Sequence, residues 1–168
     1  VATIMSNFAL DDTLKANNGK LIRAKVGDRY VIEEMMKKNL NVGGEQSGHI
    51  IFRDFTTTGD GIISALQILR IMHETGQPLS KLKKCLKKYP QTQRNLAVKS
   101  KPPIEDLRDV VKLRDEVERE LAGQGRVLLR YSGTEPKIRL LIEGRELDKI
   151  DKHANRIAEA IQSAIGVN

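Results

Sequence analysis

Short apolar segments alternate with segments of helical periodicity over residues 1–52, and glycine or a polar turn marks each change. The pattern predicts strands at residues 1–5 and 21–26 and a third strand-like segment that starts at Val42, with helices between them. Strands that alternate with helices of about ten residues are joined by right-handed crossovers and form a mostly parallel sheet. The sequence therefore predicts a three-layer α/β domain with a mostly parallel or mixed sheet.

The pattern changes after Pro90. A polar segment at residues 91–95 is the expected hinge, and the Pro102–Pro103 pair forbids a helix that continues through it. Downstream, the spacing predicts helices at residues 110–121 and 147–165 and strands at residues 126–130 and 138–143. We therefore expect the α/β domain to occupy residues 1–92 and a smaller α+β domain to occupy residues 93–168.

Composition limits the class of protein. Of 168 residues, 39% are hydrophobic and 30% are charged, a globular balance that excludes a disordered tail. No apolar run is long enough to span a membrane. The chain begins at Val1 without a basic n-region, which predicts no signal peptide and is compatible with a piece of a longer protein. The lone Cys85 cannot form an internal disulfide, which favours a reducing cytosol and a buried structural role.

The net charge of +7 raises the question of nucleic-acid binding. Much of the excess lies in one run that is spaced as an amphipathic helix with a solvated basic face, namely Lys81, Lys83, Lys84, Lys87 and Lys88 between Leu79 and Tyr89. There is no Trp, and aromatic residues make up only 4% of the chain, so platforms for stacking bases are scarce. A nucleic-acid partner is therefore disfavoured.

The segment from Thr57 to Met72 has two predicted parts. Thr57 to Gly61 superficially resembles a metal-binding loop, but it offers a single carboxylate, so Asp60 is better explained as a helix cap. The helix that follows, residues 62–72, is apolar on nearly all faces, and we expect it to be deeply packed.

In an open sheet of this kind, ligands bind beyond the carboxyl ends of the strands. Three loops should gather there, at residues 6–7, 27–29 and 45–49. In the last of them, Glu45, Ser47 and His49 are at alternate positions that can share one face. A carboxylate and a hydroxyl suit vicinal sugar hydroxyls, and the imidazole suits proton transfer. The alternative is a polar turn whose side chains bond their own backbone.

A second polar turn lies between the two strands predicted in the α+β domain. Arg130, Ser132, Gly133, Thr134 and Arg139 supply two guanidinium groups, two hydroxyls and a glycine that lets the backbone approach an anion. Backbone N–H groups in such a turn form a nest for phosphate, and arginine adds charge-assisted bonds. The loop is not a Walker A motif, because it lacks the Gly-Lys-Ser/Thr sequence with which that motif ends. The alternative is a plain turn with solvated arginines.

The string from Gly43 to His49 resembles the sugar-binding loop of the α-D-phosphohexomutases. The form with Gln46, together with residues 24–30 and 57–61, is similar to the members that act on glucosamine phosphate. Residues 130–139 are similar to the phosphate-binding loop in the last domain of the same enzymes. The resemblance runs over the whole chain in the right order, and it implies the third and fourth of four domains, the fourth with a TBP-like fold.

The resemblance implies an isomerase of the cytoplasm that interconverts two sugar phosphates through a bisphosphorylated intermediate. It implies Mg²⁺ and a bisphosphorylated sugar as activator, with the metal ligands and the phosphorylated serine in an amino-terminal half outside this chain. The isolated chain should therefore be inactive, with no metal ligands of its own. The other functions considered are a mutase for mannose or glucose phosphate, and a non-catalytic module that binds sugar phosphate or nucleic acid.

Residue by residue, the resemblance assigns four roles. Glu45 and Ser47 would hold sugar hydroxyls, and His49 would lie near the transferring proton. Arg130, Ser132, Gly133, Thr134 and Arg139 would bind the phosphate that does not react. Weaker supporting contacts to the sugar are assigned to Lys25, Asp28 and Arg29.

Overall fold

A computed structural model describes residues 1–167. The chain divides into two compact units, which we call unit 1 (Val1–Lys88) and unit 2 (Tyr89–Asn168). In the described part of the chain, no helix combines the length and the apolar character needed to cross a membrane.

Unit 1 is a mixed sheet flanked by helices. Its strands are β1 (Ala2–Thr3), β2 (Arg23–Ala24), β3 (Val42–Gly44) and β4 (Ile50–Phe52), and its helices are α1 (Ala9–Ala16), α2 (Asp28–Lys37), α3 (Gly61–Thr75) and α4 (Leu79–Leu82). The strand order is β2-β1-β3-β4. β1 is parallel to β2 and β3, whereas β4 returns antiparallel beside β3. The α/β prediction with a mostly parallel or mixed sheet is confirmed.

Helix α2 packs closely on one face of this sheet. Val31 and Met35 are fully buried and join Ile51 of β4 in one apolar cluster. A Cβ built on Gly43 of β3 would lie 2.4 Å from Met35 Sδ and 2.7 Å from Val31 Cγ1. Position 43 therefore has no room for a side chain, because the helix approaches the strand backbone itself.

Asp60 caps helix α3, as the sequence predicts. Its Oδ1 accepts hydrogen bonds from the backbone N–H groups of Ile62, at 2.8 Å, and Ile63, at 2.9 Å. These are N–H groups of the first turn, which have no acceptor within the helix.

We expect Asp60→Ala to lower the free energy of unfolding of unit 1 by about 1 kcal/mol, the usual effect of losing an N-cap side chain. Urea unfolding followed by circular dichroism measures the change. Asp60→Asn is the matched control, because an asparagine oxygen caps equally well. If both substitutions destabilised unit 1 equally, the cap would not be the cause.

The prediction that helix 62–72 is deeply packed is wrong. α3 has no buried residue, and the side chains of Ile62, Leu66 and Leu69 are 75%, 57% and 57% exposed. Only its inner side, which includes Ile63 and Ile68, is half-buried. Within unit 1 the helix packs against β4 and α4. These two elements cover only part of its apolar surface.

The lysine-rich helix is also shorter than its spacing predicts. Helix α4 ends at Leu82, a single 3-10 turn follows at Lys83–Cys85, and the chain is then irregular up to Pro90. Leu79 is 47% exposed, and a short amphipathic helix without a packed face is marginal in water. Cys85 is exposed, so the expected buried role is wrong.

Unit 2 is an antiparallel three-stranded sheet with two long helices. Its elements are β5 (Gln91–Ala97), α5 (Arg108–Leu121), β6 (Gly125–Tyr131), β7 (Lys137–Gly144) and α6 (Leu147–Ile165), with strand order β5-β7-β6. The α+β prediction is confirmed. The expected hinge at residues 91–95 is wrong, because those residues pair with β7 in a continuous ladder.

The two helices of unit 2 cover one face of its sheet. Ile138, Leu140 and Ile142 of β7 are fully buried and share a core with Ile157 and Ile161 of α6. Side chains alternate along a strand, so Arg139 lies on the face opposite the helices.

His153 is a polar residue on the buried side of α6, and the pattern of apolar residues does not predict its burial. It is 5% exposed, and its Nε2 is 3.7 Å from Glu120 Oε2. Burial lowers the pKa of His153, and the nearby charge of Glu120 partly opposes that effect. The imidazole is therefore held towards its neutral form.

Candidate functional site

The segment from Glu45 to His49 is the loop of the β3–β4 hairpin. Glu45 N–H donates to the His49 carbonyl at 2.9 Å, and Gly48 N–H donates to the Glu45 carbonyl at 3.1 Å. Gln46, Ser47 and His49 are exposed, and Glu45 is half-buried. The backbone of the loop is thus internally bonded, which leaves most of its side chains free to meet a ligand.

Glu45 joins this loop to the start of α2. The backbone N–H of Gly27 donates to Glu45 Oε1 at 2.9 Å. The loops that follow β2 and β3 therefore meet, as expected for parallel strands that end at one edge of a sheet. One carboxylate oxygen is used to hold the loops, and Oε2 has no protein partner within residues 1–167.

The loop after β1 is less available than the other two. Ser6 and Asn7 are 7% and 9% exposed, and their carbonyl oxygens accept hydrogen bonds from the Arg23 guanidinium. Asn7 Oδ1 also accepts from the Ala9 N–H at 3.1 Å. These residues fix the start of α1.

Ser47 and His49 are adjacent, as their alternation predicts. Ser47 Oγ lies 3.2 Å from His49 Nδ1. The backbone at Gly59 lies against the imidazole, since a Cβ built there would be 3.5 Å from His49 Cδ2. The Thr57–Gly61 segment therefore borders this pair, and the hydroxyl and the imidazole can exchange a proton or bind neighbouring hydroxyls together.

The residues predicted to support the sugar are engaged locally. Arg29 Nε pairs with Glu33 Oε1 at 2.9 Å, and this bond and the charge of Glu33 raise the pKa of Arg29. Lys25 Nζ lies 5.8 Å from the centre of the Tyr30 ring, and Asp28 Oδ1 accepts from the Arg29 N–H at 2.7 Å. Nowhere in the described chain do these three side chains hydrogen-bond to Glu45, Ser47 or His49.

The second polar loop connects β6 to β7 in unit 2. Arg130 of β6 and Arg139 of β7 are directly opposite in the ladder, so the two side chains leave the same face of the sheet. That face is the one opposite the helices. The structure thus brings together the two arginines that the sequence places nine positions apart.

Ser132 is the first residue of this loop and is only 3% exposed. Its Oγ lies 3.4 Å from Arg139 Nη2 and 3.4 Å from the Glu135 N–H, both of which donate. Lys101 Nζ donates to the Ser132 carbonyl at 2.7 Å. Lys101 is a contact that sequence reasoning missed, because it lies far from the loop in the chain and no local spacing connects the two.

The charges of the loop are unevenly balanced. Glu135 Oε1 pairs with Lys137 Nζ at 2.5 Å and Oε2 with Arg139 Nη2 at 3.1 Å, and both cations lower the pKa of Glu135. Arg130 has no ion pair within residues 1–167, and burial together with the charge of Arg139 lowers its pKa. Arg139 Nε is buried without a hydrogen-bond partner in the same part of the chain. A positive charge without a counter-ion therefore remains.

Gly133 and Thr134 form the exposed tip of this loop. No protein atom lies within 4 Å of a Cβ built on Gly133. In the described part of the chain, the N–H groups of these two residues have no acceptor. Two free N–H groups beside two guanidinium groups suit an anion such as a phosphate group.

A metal site does not fit the residues present. Within residues 1–167 no group of three or more His, Cys, Asp and Glu side chains is arranged to hold a metal ion. Asp60, the carboxylate of the Thr57–Gly61 segment, is occupied by the cap of α3. No step is therefore assigned to Mg²⁺ within this chain.

Comparison with known proteins gives the fold and the family. The N-acetylphosphoglucosamine mutase of Aspergillus fumigatus, solved with GlcNAc-6P and magnesium, aligns with a TM-score of 0.73 over 99% of this chain and 38% of its own, at 18% identity. The chain therefore shares the fold of the corresponding part of that enzyme. Residues 1–89 match the phosphoglucomutase/phosphomannomutase alpha/beta/alpha domain III, and residues 94–160 match the C-terminal domain. The chain belongs to the phosphoglucomutase/phosphomannomutase family.

Curated relatives are similar over almost the entire chain. The phosphoglucosamine mutase of Anaeromyxobacter sp. strain Fw109-5 is 47% identical over 166 residues, which are 99% of this chain and 35% of that protein. The phosphoglucosamine mutase of Lawsonia intracellularis is 48% identical over 165 residues, or 98% of this chain and 37% of that protein. The chain thus spans little more than a third of the length of these relatives.

Proposed function

We propose that this chain is the carboxyl-terminal part of a phosphoglucosamine mutase, an isomerase that interconverts glucosamine 6-phosphate and glucosamine 1-phosphate through a bisphosphorylated sugar. The observation that carries the proposal is the β6–β7 loop, in which paired arginines and free N–H groups leave a positive charge without a counter-ion. Relatives that bear this name and are 47% and 48% identical support the choice of substrate.

We assign the phosphate that does not react to the β6–β7 loop. Arg130 and Arg139 supply charge-assisted hydrogen bonds, and Ser132 and Thr134 supply hydroxyls. Gly133 lets its backbone N–H approach the phosphate oxygens. Such a rigid clamp suits a substrate that must present each of its ends in turn, because it fixes one end while the other reacts.

We assign the sugar hydroxyls to Glu45 and Ser47, and a proton at the reacting hydroxyl to His49. The 3.2 Å contact between Ser47 Oγ and His49 Nδ1 supports a shared action of these two side chains. Lys25 and Asp28 remain supporting residues. The ion pair of Arg29 with Glu33 makes the contribution of Arg29 the weakest of the three.

The chemistry of phosphoryl transfer is assigned to the rest of the longer protein. The nucleophilic serine and the Mg²⁺ ligands lie outside this chain in our proposal, as does the site of a bisphosphorylated activator, and the amino-terminal part is the partner that supplies them. The A. fumigatus neighbour solved with magnesium and GlcNAc-6P is compatible with this division. The isolated chain should show no turnover, and we place the enzyme in the cytoplasm.

The substrate is tested with the complete gene product. We expect kcat/KM for glucosamine 1-phosphate to exceed the values for mannose 1-phosphate and glucose 1-phosphate, because discrimination between sugars is a ratio of these constants. Preference for mannose or glucose phosphate would reassign the enzyme within its family. Turnover by the 168-residue chain alone would contradict the proposed division of labour.

Gly133→Ala separates phosphate binding from folding. The added methyl group meets no protein atom within 4 Å, so we expect an unchanged free energy of unfolding. If the backbone N–H must approach a phosphate oxygen, the methyl group displaces the anion, and binding of inorganic phosphate should weaken roughly tenfold, which corresponds to about 1.4 kcal/mol. Titration followed by amide NMR measures both the affinity and the integrity of the fold.

The matched control is Gly61→Ala. A Cβ at Gly61 also meets no atom within 4 Å, and the residue lies in unit 1, outside the β6–β7 loop. Phosphate affinity should be the same as in the parent protein. Unchanged affinity in Gly133→Ala itself would show that phosphate does not approach the backbone at this loop.

A further inference from the structure

Glu135 is the one carboxylate between Arg130 and Arg139, and the proposed function gives it no role. A carboxylate repels a phosphate group, so a position beside the arginines assigned to phosphate needs a physical reason. Its Oε2 lies 3.1 Å from Arg139 Nη2, and its Oε1 lies 2.5 Å from Lys137 Nζ. Glu135 therefore contacts one of the two guanidinium groups directly.

The backbone of the loop holds Glu135 in place. The Glu135 N–H donates to Ser132 Oγ at 3.4 Å, and the Glu135 carbonyl accepts from the Lys137 N–H at 2.8 Å. Pro136 restricts the backbone angles of Glu135 as well as its own. Because the backbone is already fixed, pairing with Arg139 costs only the conformational entropy of the side chains.

Two hydrogen bonds at one nitrogen orient the Arg139 guanidinium. Nη2 donates to Glu135 Oε2 at 3.1 Å and to Ser132 Oγ at 3.4 Å. The guanidinium is planar and rigid, so these two bonds also set the direction of its other N–H groups. Within residues 1–167, Nη1 donates to no protein atom. Its two N–H groups are therefore free for a ligand and are held in a fixed direction.

Lys137 balances the charge of Glu135. The hydrogen bond from Lys137 and the charge of Lys137 are the main causes that lower the pKa of Glu135, and Arg139 adds a smaller effect. The carboxylate therefore stays ionised at neutral pH and keeps a charge-assisted bond to Arg139 Nη2. Since Lys137 offsets one negative charge, the orientation of Arg139 can outweigh the repulsion between Glu135 and an anion.

We propose that Glu135 is a positioning residue that orients the Arg139 guanidinium for a phosphate group. Exposed ion pairs contribute little to stability, so the effect should appear in anion binding and not in folding. The inference rests on the proposed phosphate binding by this loop, but not on which sugar carries the phosphate. A carboxylate that only added negative charge would oppose anion binding, so the two possibilities differ in the sign of the change when Glu135 is removed.

The experiment measures the binding of inorganic phosphate to the 168-residue chain by amide NMR. We expect Glu135→Ala to raise the Kd about fivefold to tenfold, although it removes a negative charge, because Arg139 loses the partner that fixes its direction. Glu135→Gln keeps an oxygen that accepts from Arg139 Nη2, so its Kd should stay within about threefold of the parent value. The amide spectrum of each variant also shows whether unit 2 remains folded.

Glu118→Ala is the matched control for net charge, because Glu118 is exposed on α5, which packs on the other face of the sheet. Its Kd should equal the parent value or be slightly lower. An unchanged or lower Kd in Glu135→Ala would overturn the positioning role and leave the phosphate site intact. An equal increase in Glu135→Gln would overturn it as well, because the acceptor oxygen would then not be what orients Arg139. Absence of phosphate binding by the parent chain would overturn the phosphate site itself, and this inference with it.

Discussion

Replacing Arg130 with alanine is expected to weaken the binding of glucosamine 6-phosphate by about 10- to 140-fold. Hydrogen bonds to charged groups contribute about 1.5–3 kcal/mol, and each 1.4 kcal/mol is a tenfold change in Kd. Arg130 has no ion pair in the described part of the protein, so its charge is available to the ligand. The loss of affinity should therefore report the ligand contact alone.

The same substitution should leave unit 2 folded. Burial and, to a smaller extent, the charge of Arg139 lower the pKa of Arg130, and the second effect means that the two guanidinium groups repel each other in the absence of an anion. Removing Arg130 relieves that repulsion. We expect an unchanged or slightly higher melting temperature, together with the weaker binding.

Isothermal titration calorimetry with glucosamine 6-phosphate measures the affinity. Lys112→Ala removes an equal charge from the exposed face of α5 and is the matched control for net charge. Its Kd should change by much less than that of Arg130→Ala. If both variants lost a similar amount of affinity for glucosamine 6-phosphate, the loop would attract anions only through the net positive charge of the protein.

Replacing Ile157 with alanine is expected to destabilise unit 2 by about 2–5 kcal/mol. Ile157 is fully buried in α6 and belongs to the apolar cluster that joins α5 and α6 to the sheet. Truncation removes the transfer free energy of the lost carbon atoms and leaves a cavity that the surrounding side chains fill only in part. For a domain of this size the expected loss is a large fraction of the total stability.

Urea unfolding followed by NMR signals of unit 2 measures this loss. Ser163→Ala lies on the exposed side of the same helix and is the control, with an expected change within about 0.5 kcal/mol. A loss below about 1 kcal/mol for Ile157→Ala would show that the cluster relaxes around the shortened side chain. Phosphate binding should persist in conditions where Ile157→Ala remains folded.

Sequence periodicity was most informative where an element is packed on one side. Helix α6 has the bounds that the spacing of Ile150, Ile157, Ile161 and Ile165 predicts, and these four residues are buried. The bounds of β7 differ from the predicted ones by only one residue at each end. In both cases the local pattern and the tertiary contacts agree.

The failures have a common physical origin. Burial depends on what lies opposite a residue, and the sequence of α3 does not contain that partner. The apolar character of Ile62, Leu66 and Leu69 predicts a core position, whereas unit 1 leaves them exposed. The prediction of a hinge at Gln91 to Asn95 failed in the opposite sense. The polar side chains suggested a flexible segment, but the backbone groups of these residues form hydrogen bonds to β7, and that pairing does not depend on the side chains.

The sequence predicted the residues of the candidate site better than the contacts between distant segments that hold them in place. The clustering of Arg130, Ser132 and Arg139 follows from a hairpin turn and could be read from local spacing. The contact of Lys101 with the Ser132 carbonyl, and that of Gly27 with Glu45, join distant parts of the chain and could not. Such contacts depend on the register of the fold, which short motifs do not encode.

The pairing of Arg130 with Arg139 has a consequence for how this protein can change during evolution. Opposed residues in an antiparallel ladder have Cβ atoms about 4.5–5.5 Å apart, so the ladder itself sets the spacing of the two guanidinium groups. Inserting or deleting one residue in the intervening turn would shift the register and send one arginine to the helix-covered face. The length of this turn should therefore be as strictly maintained among functional homologues as the identity of the arginines.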